Sequence, residues 1–464
     1  MMNGRERSDP AIVAVKPTNK AGQPAAEPGE PRAGTKGNTG QQSTCRAQNR
    51  ESVALDRVRT AARHRKKERF TTLFHHLSVD LFREAFLALK RDAAPGVDGL
   101  MWPDYEADLE RNLTDLHDRV HRGTYRALPS RRRYIPKSDG RQRPLAVAAL
   151  EDKIVQKVAV LNAIYEEDFL GFSYGFRRSQ HDALDALVVG ITSTKVNHIL
   201  DCDLRTFFDT VSQDWLVRFL NHRISDPRII RLIQKWLKTG VLEEGVVTTS
   251  ETGQGSVISP LLANIYLHYA FDLWANRWRQ REATGDMIIV RYADDIVVGF
   301  QHETDARRFL DMMRDRLEEF ALTLHPEKTR LIEFGRYAAS NRKRRGLGKP
   351  ETFTFLGFTF ICGTSRRGYF RIHRKSRRDR MTAKLKEIKE EVWRRLHQSI
   401  PEQGHWLKQV VTGYFAYHAV PTNIEALRAF RFHVVSLWGP APQSKGRNDV
   451  EADPENSRRV SPQA

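Results

Sequence analysis

Two adjacent aspartates stand between two strongly apolar runs in the segment "RYADDIVVGF", which covers residues 291–300. The run "MIIV" precedes this segment, and "IVVGF" follows the aspartates. Both runs are rich in β-branched residues and therefore predict the two strands of a buried hairpin. Carboxylates among such neighbours are costly to bury unless they are paired or bind a metal. The pair Asp294–Asp295 thus indicates a metal site or, as the plainer alternative, a solvated turn.

A second apolar strand, "ILDCDL", supplies a candidate partner for these carboxylates. Asp203 closes this strand just before a predicted helix, and Asp201 lies on the same face two residues earlier. Carboxylates from two neighbouring strands form a natural site for two Mg²⁺ ions, which prefer hard oxygen ligands and assist phosphoryl transfer. Adjacent strand residues point in opposite directions, so Asp294 and Asp295 are not equivalent ligands unless the turn twists them together. We expect Asp294 to be the firmer ligand.

The overall charge indicates a polyanionic partner. The 464 residues contain 76 Lys and Arg against 57 Asp and Glu, a net charge of +19. Nucleic acid is the usual partner of such a basic chain, although an excess of charge can also serve solubility alone. Three widely spaced cysteines predict neither a disulfide framework nor a structural zinc site. With no long apolar run and no signal-peptide pattern, we expect a cytoplasmic protein without a membrane partner.

Helical and strand patterns alternate without a repeating βαβ rhythm, which predicts an α+β fold with helical additions. One predicted helix places Phe82, Phe86 and Leu89 on a single face. A basic hairpin is expected around the "SDG" turn at 138–140, and Ser259 is a candidate helix N-cap followed by Pro260. The segment "TFTFLGFTF" (352–360) is predicted as one strand.

Eight motifs, in order along the chain, resemble those of bacterial group II intron-encoded reverse transcriptase/maturases. They are "APGVDG", "IPKSDGRQRPLAV", "DCDLRTFFDTV", "TGQGSVISPLLANIYL", "YADD", "LHPEKTRLIEF", "FTFLGFTF" and "GYFAYH". The resemblance implies a right-hand polymerase, with fingers and palm built from an antiparallel sheet plus helices and followed by an α-helical thumb/X domain. Together with the polar composition of the two chain ends, the motifs predict a disordered tail (1–51), an N-terminal extension (52–122), fingers and palm (123–361), the thumb/X domain (362–438) and a disordered tail (439–464), with no endonuclease domain.

The resemblance also implies a catalytic mechanism. Asp203 and Asp294 would hold two Mg²⁺ ions, with Asp295 assisting and the carbonyl of Leu204 touching the metal. A DNA primer on an RNA template would then be extended with dNTPs. Tyr292 would contact the primer end, although its alternative is an ordinary strand aromatic.

Nucleotide binding would involve residues from four of the motifs. Lys137 and Arg143 would clamp the triphosphate, unless they form only a solvated hairpin face. Phe208 would exclude a 2′-hydroxyl, unless it is an ordinary core residue. Lys328 would lie near the triphosphate. Gln254 would support the nucleotide or template from a loop with Gly253 and Gly255, where the usual family loop has Pro-Gln-Gly.

Residues 342–380 form a basic band with a net charge of +11. Beside a polymerase, such a band is expected to contact the phosphates of intron RNA or of the template–primer duplex, although a solvated charge run is the alternative. The residues expected to bind RNA are Arg342, Lys343, Arg344, Arg345, Arg374, Lys375, Arg377 and Arg378.

Three functional hypotheses remain open from the sequence. The first is an RNA-directed DNA polymerase that also assists splicing of its own group II intron. The second is an RNA-binding splicing cofactor with an idle polymerase. The third is a reverse transcriptase of another bacterial lineage. The sequence predicts neither the oligomeric state nor the intron concerned.

Overall fold

A computed structural model describes residues 55–136, 142–157, 160–175, 178–243, 246–248 and 257–439. The chain divides into two compact units, one ending at Ile372 and one beginning at His373. The predicted tails lie outside the described residues, apart from Gly439.

The N-terminal part of the first unit is helical. Its helices are α1 (55–64), α2 (Val79–Leu87), α3 (Trp102–Glu106) and α4 (Leu109–His121). Phe82 and Phe86 are fully buried on α2, as predicted, whereas Leu89 lies beyond the end of that helix. Trp102 stacks on Phe86 with ring centroids 4.6 Å apart and so joins α3 to α2.

The predicted basic hairpin belongs to a four-stranded sheet in the order β2-β1-β5-β6. Its strands are β1 (Ser130–Pro136), β2 (Gln142–Val147), β5 (Val241–Glu243) and β6 (Val246–Thr248). β1 and β2 are antiparallel, with Arg131 opposite Val147, while β1 and β5 are parallel. The turn that joins β1 to β2 lies outside the described residues.

A five-stranded sheet in the order β3-β7-β8-β4-β9 carries the two aspartate motifs. Its strands are β3 (Ser173–Tyr174), β4 (His198–Cys202), β7 (Met287–Tyr292), β8 (Asp295–Phe300) and β9 (Arg330–Glu333). All pairs are antiparallel except β3 with β7. The predicted hairpin is therefore β7–β8, and its neighbour β4 is the strand that leads to Asp203.

Helices surround this sheet and connect its strands. They are α5 (Leu150–Lys157), α6 (Val160–Asp168), α7 (Gln180–Ser193), α8 (Phe207–Thr210), α9 (Gln213–Asn221), α10 (Pro227–Lys238), α11 (Ser259–Leu267), α12 (Leu273–Arg281), α13 (Glu303–Glu318) and α14 (Ala338–Arg344). A π-helical turn, His268–Asp272, joins α11 to α12.

The predicted N-cap of α11 is wrong by one residue. Ile258 is the N-cap, and its carbonyl accepts hydrogen bonds from the backbone of Leu261 and Leu262. Ser259 is therefore already the first helical residue. Pro260 lies in the first turn as predicted, where its missing N–H leaves no hydrogen bond unmade.

The prediction of a single strand at 352–360 is also wrong. This segment is two strands, β10 (Phe353–Phe355) and β11 (Phe358–Thr364), which form a sheet with β12 (Phe370–Ser376). Leu356 and Gly357 have φ of 47° and 80°, and consecutive positive φ values reverse the chain in a two-residue hairpin turn. The turn pairs Phe355 with Phe358, so the alternating phenylalanines of both strands share one buried face.

The second unit is a bundle of three helices that follow β12. They are α15 (Arg378–Arg394), α16 (Ile400–His418) and α17 (Ile424–Trp438). Their common core contains Ile388, Val392, Leu407, Phe430 and Val434. None of the helices in the described part of the chain is long and apolar enough to cross a membrane.

Candidate active site

The hairpin β7–β8 turns within two residues and separates the adjacent aspartates. Tyr292 pairs with Asp295, which leaves Ala293 and Asp294 as the turn. Ala293 adopts a φ of 52°, a left-handed conformation that is uncommon for a residue with a side chain. Asp294 is therefore at the tip of the hairpin, and Asp295 is the exposed first residue of β8. Because only Asp295 belongs to a strand, the alternation of side chains along a strand does not force Asp294 and Asp295 to point in opposite directions.

Asp203 lies beside this turn at the end of β4. Cys202, the last residue of β4, pairs with Ile296, so the residue that follows the strand, Asp203, lies at the same end of the sheet as Asp295. The backbone of Asp203 is fixed by a hydrogen bond of 2.7 Å from the His325 amide to its carbonyl. Leu204, the next residue, is buried and bridges Leu324. The strand registers thus bring the aspartates predicted as catalytic to the same end of the sheet.

Lys328 is the cationic neighbour of Asp203. Its Nζ lies 2.6 Å from Asp203 Oδ2, and the Asp203 side chain is one-third exposed. The segment from Leu324 to Thr329, which also fixes the Asp203 backbone, brings this lysine to the carboxylate. Lys328 therefore lies beside Asp203 and pairs with its carboxylate, and its role near the triphosphate stays a prediction.

Asp201 is a further carboxylate on the same face of β4. It pairs with Arg330 of β9, and the closest oxygen–nitrogen distance between the two side chains is 3.6 Å. Burial raises the pKa of Asp201 to about 6, which the nearby Arg330 only partly opposes and Asp203 reinforces. Asp201 thus lies two residues before Asp203, further into the sheet, where Arg330 of β9 balances its charge.

Divalent cations fit the donors at this end of the sheet. Among the residues that the structure describes, no group of three or more His, Cys, Asp or Glu side chains is already arranged to hold a metal ion. Asp203 and Asp294 nevertheless offer hard oxygen donors. Asp203 already contacts one cation, the ammonium group of Lys328. Asp203, Asp294 and Asp295 are the carboxylates at this end of the sheet that could hold a divalent cation.

The aromatic candidates take different positions. Phe208 on α8 is partly buried and packs edge-on against Phe207, with ring centroids 5.3 Å apart. Phe207 is 3% exposed, whereas Phe208, five residues after Asp203, is half-buried. Tyr292 is partly buried at the end of β7, where it pairs with Tyr174 of β3.

Several predicted nucleotide-binding residues fall outside the described residues. These are Lys137, Gly253, Gln254 and Gly255. The backbone of Arg143 belongs to β2, opposite Ile135. The roles of all five stay predictions.

Of the eight residues expected to bind RNA, five are exposed, two are half-buried and one is buried. Lys343, Arg344 and Arg345 are exposed on or just after α14, and Arg342 is half-buried beside Glu351. Lys375 and Arg378 are exposed in the second unit, where Arg377 pairs with Asp379. Arg374 is 3% exposed, which leaves little of its side chain accessible to an RNA phosphate, and its RNA-binding role stays a prediction. It lies on the inner side of β12, where strand alternation turns its side chain away from solvent.

Sequence reasoning missed the arginine directly before the YADD motif. Arg291 is completely buried, and its Nε and Nη2 contact both carboxylate oxygens of Asp272 at 2.7 and 2.6 Å. Burial alone would raise the pKa of Asp272, but Arg291 and His268 hold this pKa below its usual value. The signal in the sequence was an arginine at the end of the apolar run "MIIVR", where an unpaired charge would be costly.

Removing the Lys328 charge should tighten metal binding. In Lys328→Met, Asp203 loses its cationic neighbour, and a divalent ion no longer competes with an ammonium group. We expect Mn²⁺ to bind at least about five-fold more tightly, since a unit charge within ~4 Å contributes on the order of 1 kcal/mol or more. Electron paramagnetic resonance titration measures this directly. Lys157→Met, which removes a lysine bonded to the Ala88 carbonyl, is the control, and equal affinities in both variants would contradict the prediction.

Comparison with known proteins agrees with the geometry. Residues 135–360 match the family model described as reverse transcriptase (RNA-dependent DNA polymerase). Protein YkfC of Escherichia coli K12 is 33% identical over 327 residues, which cover 62% of this chain and 81% of that protein. The group II intron-encoded protein LtrA of Lactococcus lactis is 32% identical over 222 residues, 46% of this chain and 37% of that protein. An uncharacterized 91 kDa protein in the cob intron of Schizosaccharomyces pombe is 36% identical over 202 residues, 41% of this chain and 24% of that protein.

Proposed function

This chain belongs to the reverse transcriptases of the group II intron-encoded type, and we propose that it extends a DNA primer on an RNA template by two-metal nucleotidyl transfer. The observation that carries the proposal is the placement of Asp294 in the hairpin turn beside Asp203 at the end of β4. Carboxylates from two adjacent strands at one open sheet end suit a reaction between phosphate and hydroxyl oxygens.

In the proposed reaction, the primer 3′-hydroxyl attacks the α-phosphate of a dNTP. The new ester bond forms as the bond to the β-phosphate breaks, so pyrophosphate leaves and the hydroxyl proton passes to solvent. Asp203 and Asp294 would hold two Mg²⁺ ions, with Asp295 and the Leu204 carbonyl assisting. Bound there, such ions lower the pKa of the attacking hydroxyl and stabilise charge on the leaving oxygen.

The chain's own side chains would orient the substrates. We assign Lys328 to the nucleotide phosphates, because its ammonium group is at the carboxylate cluster and can move from Asp203 to an incoming anion. Lys137 and Arg143 of the basic hairpin would hold the triphosphate, and Gln254 with its flanking Gly253 and Gly255 would support the base pair. Tyr292 would contact the primer end from β7.

Intron RNA is the second proposed partner. The relative LtrA is named as encoded by a group II intron. Exposed basic residues occur in both units of this chain. We propose that Arg342, Lys343, Arg344 and Arg345 in the first unit contact RNA phosphates, as do Lys375, Arg377 and Arg378 in the second. Such contacts read shape and charge rather than sequence. Assisting the splicing of that RNA would follow from this binding.

The polymerase proposal is tested by extending oligo(dT) on poly(rA) with Mg²⁺ and dTTP. The wild-type chain should extend the primer, and Asp203→Asn should lower the rate roughly 10²-fold or more, because it removes a charged metal ligand. Asp311→Asn, on the exposed face of α13, is the control. Asp226→Asn would not serve, because Asp226 caps α10. A wild-type chain that fails to extend but still promotes splicing would favour the idle-polymerase alternative.

Phe208 should control the choice between deoxyribonucleotides and ribonucleotides. Replacing it with Ala removes the ring that would meet a 2′-hydroxyl, so we expect the ratio of kcat/KM for dTTP over UTP to fall about tenfold or more. Phe82→Ala is the control, because Phe82 is fully buried on α2 and its loss should lower stability without changing this ratio. An unchanged ratio in Phe208→Ala would reject the gating role.

The exposed bases of α14 should contribute to RNA affinity in a salt-dependent way. The helix contains no acidic residue of its own, and Arg342 is paired with Glu351 outside it. In Lys343→Ala/Arg344→Ala, the slope of log K against log salt for a structured RNA should become shallower by roughly 1 to 2, about one unit per lost phosphate contact. The control Arg308→Ala/Arg314→Ala removes arginines that already pair with acidic side chains. The same change of slope in both variants would contradict a specific role for α14.

A further inference from the structure

A buried polar cluster around Arg291 contacts the hairpin turn that carries Asp294. Because side chains alternate along β7, Tyr292 shares a face with Asp295 and Asp203, whereas Arg291 points to the opposite face. That opposite face packs against the main core, with Ile289, Ile296 and Val298 all buried there. A charged side chain in such surroundings is tolerated only when its hydrogen bonds and its charge are satisfied.

Arg291 collects its partners from three other elements. Asp272, the last residue of the π-helical turn, contacts it through both carboxylate oxygens. Asn264 of α11 accepts a hydrogen bond of 2.8 Å from Nη1, and Ser173 of β3 accepts one of 2.5 Å from Nη2. π-Helical turns often mark functional positions, and this one ends at the carboxylate that the arginine needs.

The remaining donor of Arg291 reaches the hairpin turn itself. Its Nη1 also donates to the carbonyl of Ala293 at 2.9 Å. Ala293 is the residue with a φ of 52°, and it immediately precedes Asp294. The amide of Ala293 is held from the other side by the Tyr174 carbonyl at 3.3 Å. Both backbone polar groups of Ala293, the residue directly before Asp294, are thus held by hydrogen bonds.

We propose that Arg291 is a positioning residue: held by Asp272, Asn264 and Ser173, it fixes the Ala293 carbonyl and thereby sets the place of Asp294 at the metal site. The proposal rests on the proposed function, in which Asp294 is a metal ligand. Its consequence is that metal affinity and turnover depend on a group that touches neither metal nor substrate.

The test separates positioning from stability by removing the buried ion pair as a unit. Arg291→Met/Asp272→Leu leaves no buried charge without its partner, so it should remain folded. We expect kcat to fall roughly 10²-fold, as for a small misplacement of a reacting group, and the half-saturating Mg²⁺ concentration to rise about tenfold, while the KM for the template–primer stays nearly constant. Arg291→Lys, which keeps the charge without the planar fork, should lie between the wild type and the double variant.

A matched control exists elsewhere in the first unit. Arg223 is also buried, pairs with Asp168 at 2.7 Å and donates to the carbonyls of Ala62, Arg65 and Glu68. Arg223→Met/Asp168→Leu should change Tm but not the Mg²⁺ dependence. If both double variants alter kcat and Mg²⁺ dependence alike, or if neither does, the positioning role is overturned.

Mn²⁺ affinity distinguishes failure of this inference from failure of the proposed function. It is measured by electron paramagnetic resonance in the wild type, in the double variants and in Asp294→Asn. A wild-type chain that does not extend primers rejects the polymerase proposal, yet Arg291→Met/Asp272→Leu should still weaken Mn²⁺ binding as Asp294→Asn does. Unchanged Mn²⁺ affinity in the Arg291 variants, with weakened affinity in Asp294→Asn, would overturn the inference alone.

Discussion

The alternation of side chains along β7 and β8 separates two kinds of charge at the same end of one sheet. Asp295 lies on one face, at the open end of the sheet where Asp203 follows β4, and the fully buried Arg291 lies on the opposite face. A single-residue shift of register would exchange the two faces and bury the carboxylates in the core. The pairings of β4, β8 and β7, together with the Arg291–Asp272 ion pair, therefore hold the geometry on which the proposed chemistry depends.

The same arrangement explains why dispersed segments of the sequence belong together. The hairpin supplies Asp294, β4 supplies the position of Asp203, and the segment after α13 supplies Lys328. α11 and the π-helical turn contribute Asn264 and Asp272, which bind the side chain of Arg291 in the hairpin. The reverse transcriptase family model spans these segments, which is consistent with one catalytic unit assembled from many short motifs.

The sequence was most informative where a pattern had one physical solution. The β-branched runs around Asp294 and Asp295 predicted the hairpin, and the strand "ILDCDL" predicted its neighbour, because few other structures suit such runs. It was least informative where backbone conformation decided the outcome. The left-handed residues Leu356 and Gly357 split a predicted strand in two, and nothing in the alternation of phenylalanines revealed the turn. The role of Arg291 was hidden because its side-chain partners Asp272, Asn264 and Ser173 are 19 to 118 residues away in the chain.

The most direct test of the central claim is to locate divalent ions in crystals of the wild-type chain soaked with Mn²⁺, using anomalous scattering. The account predicts a peak that contacts carboxylate oxygens of both Asp203 and Asp294, with the Lys328 ammonium displaced from Asp203. Peaks elsewhere, with Lys328 still paired to Asp203 and neither aspartate bound to an ion, would contradict it.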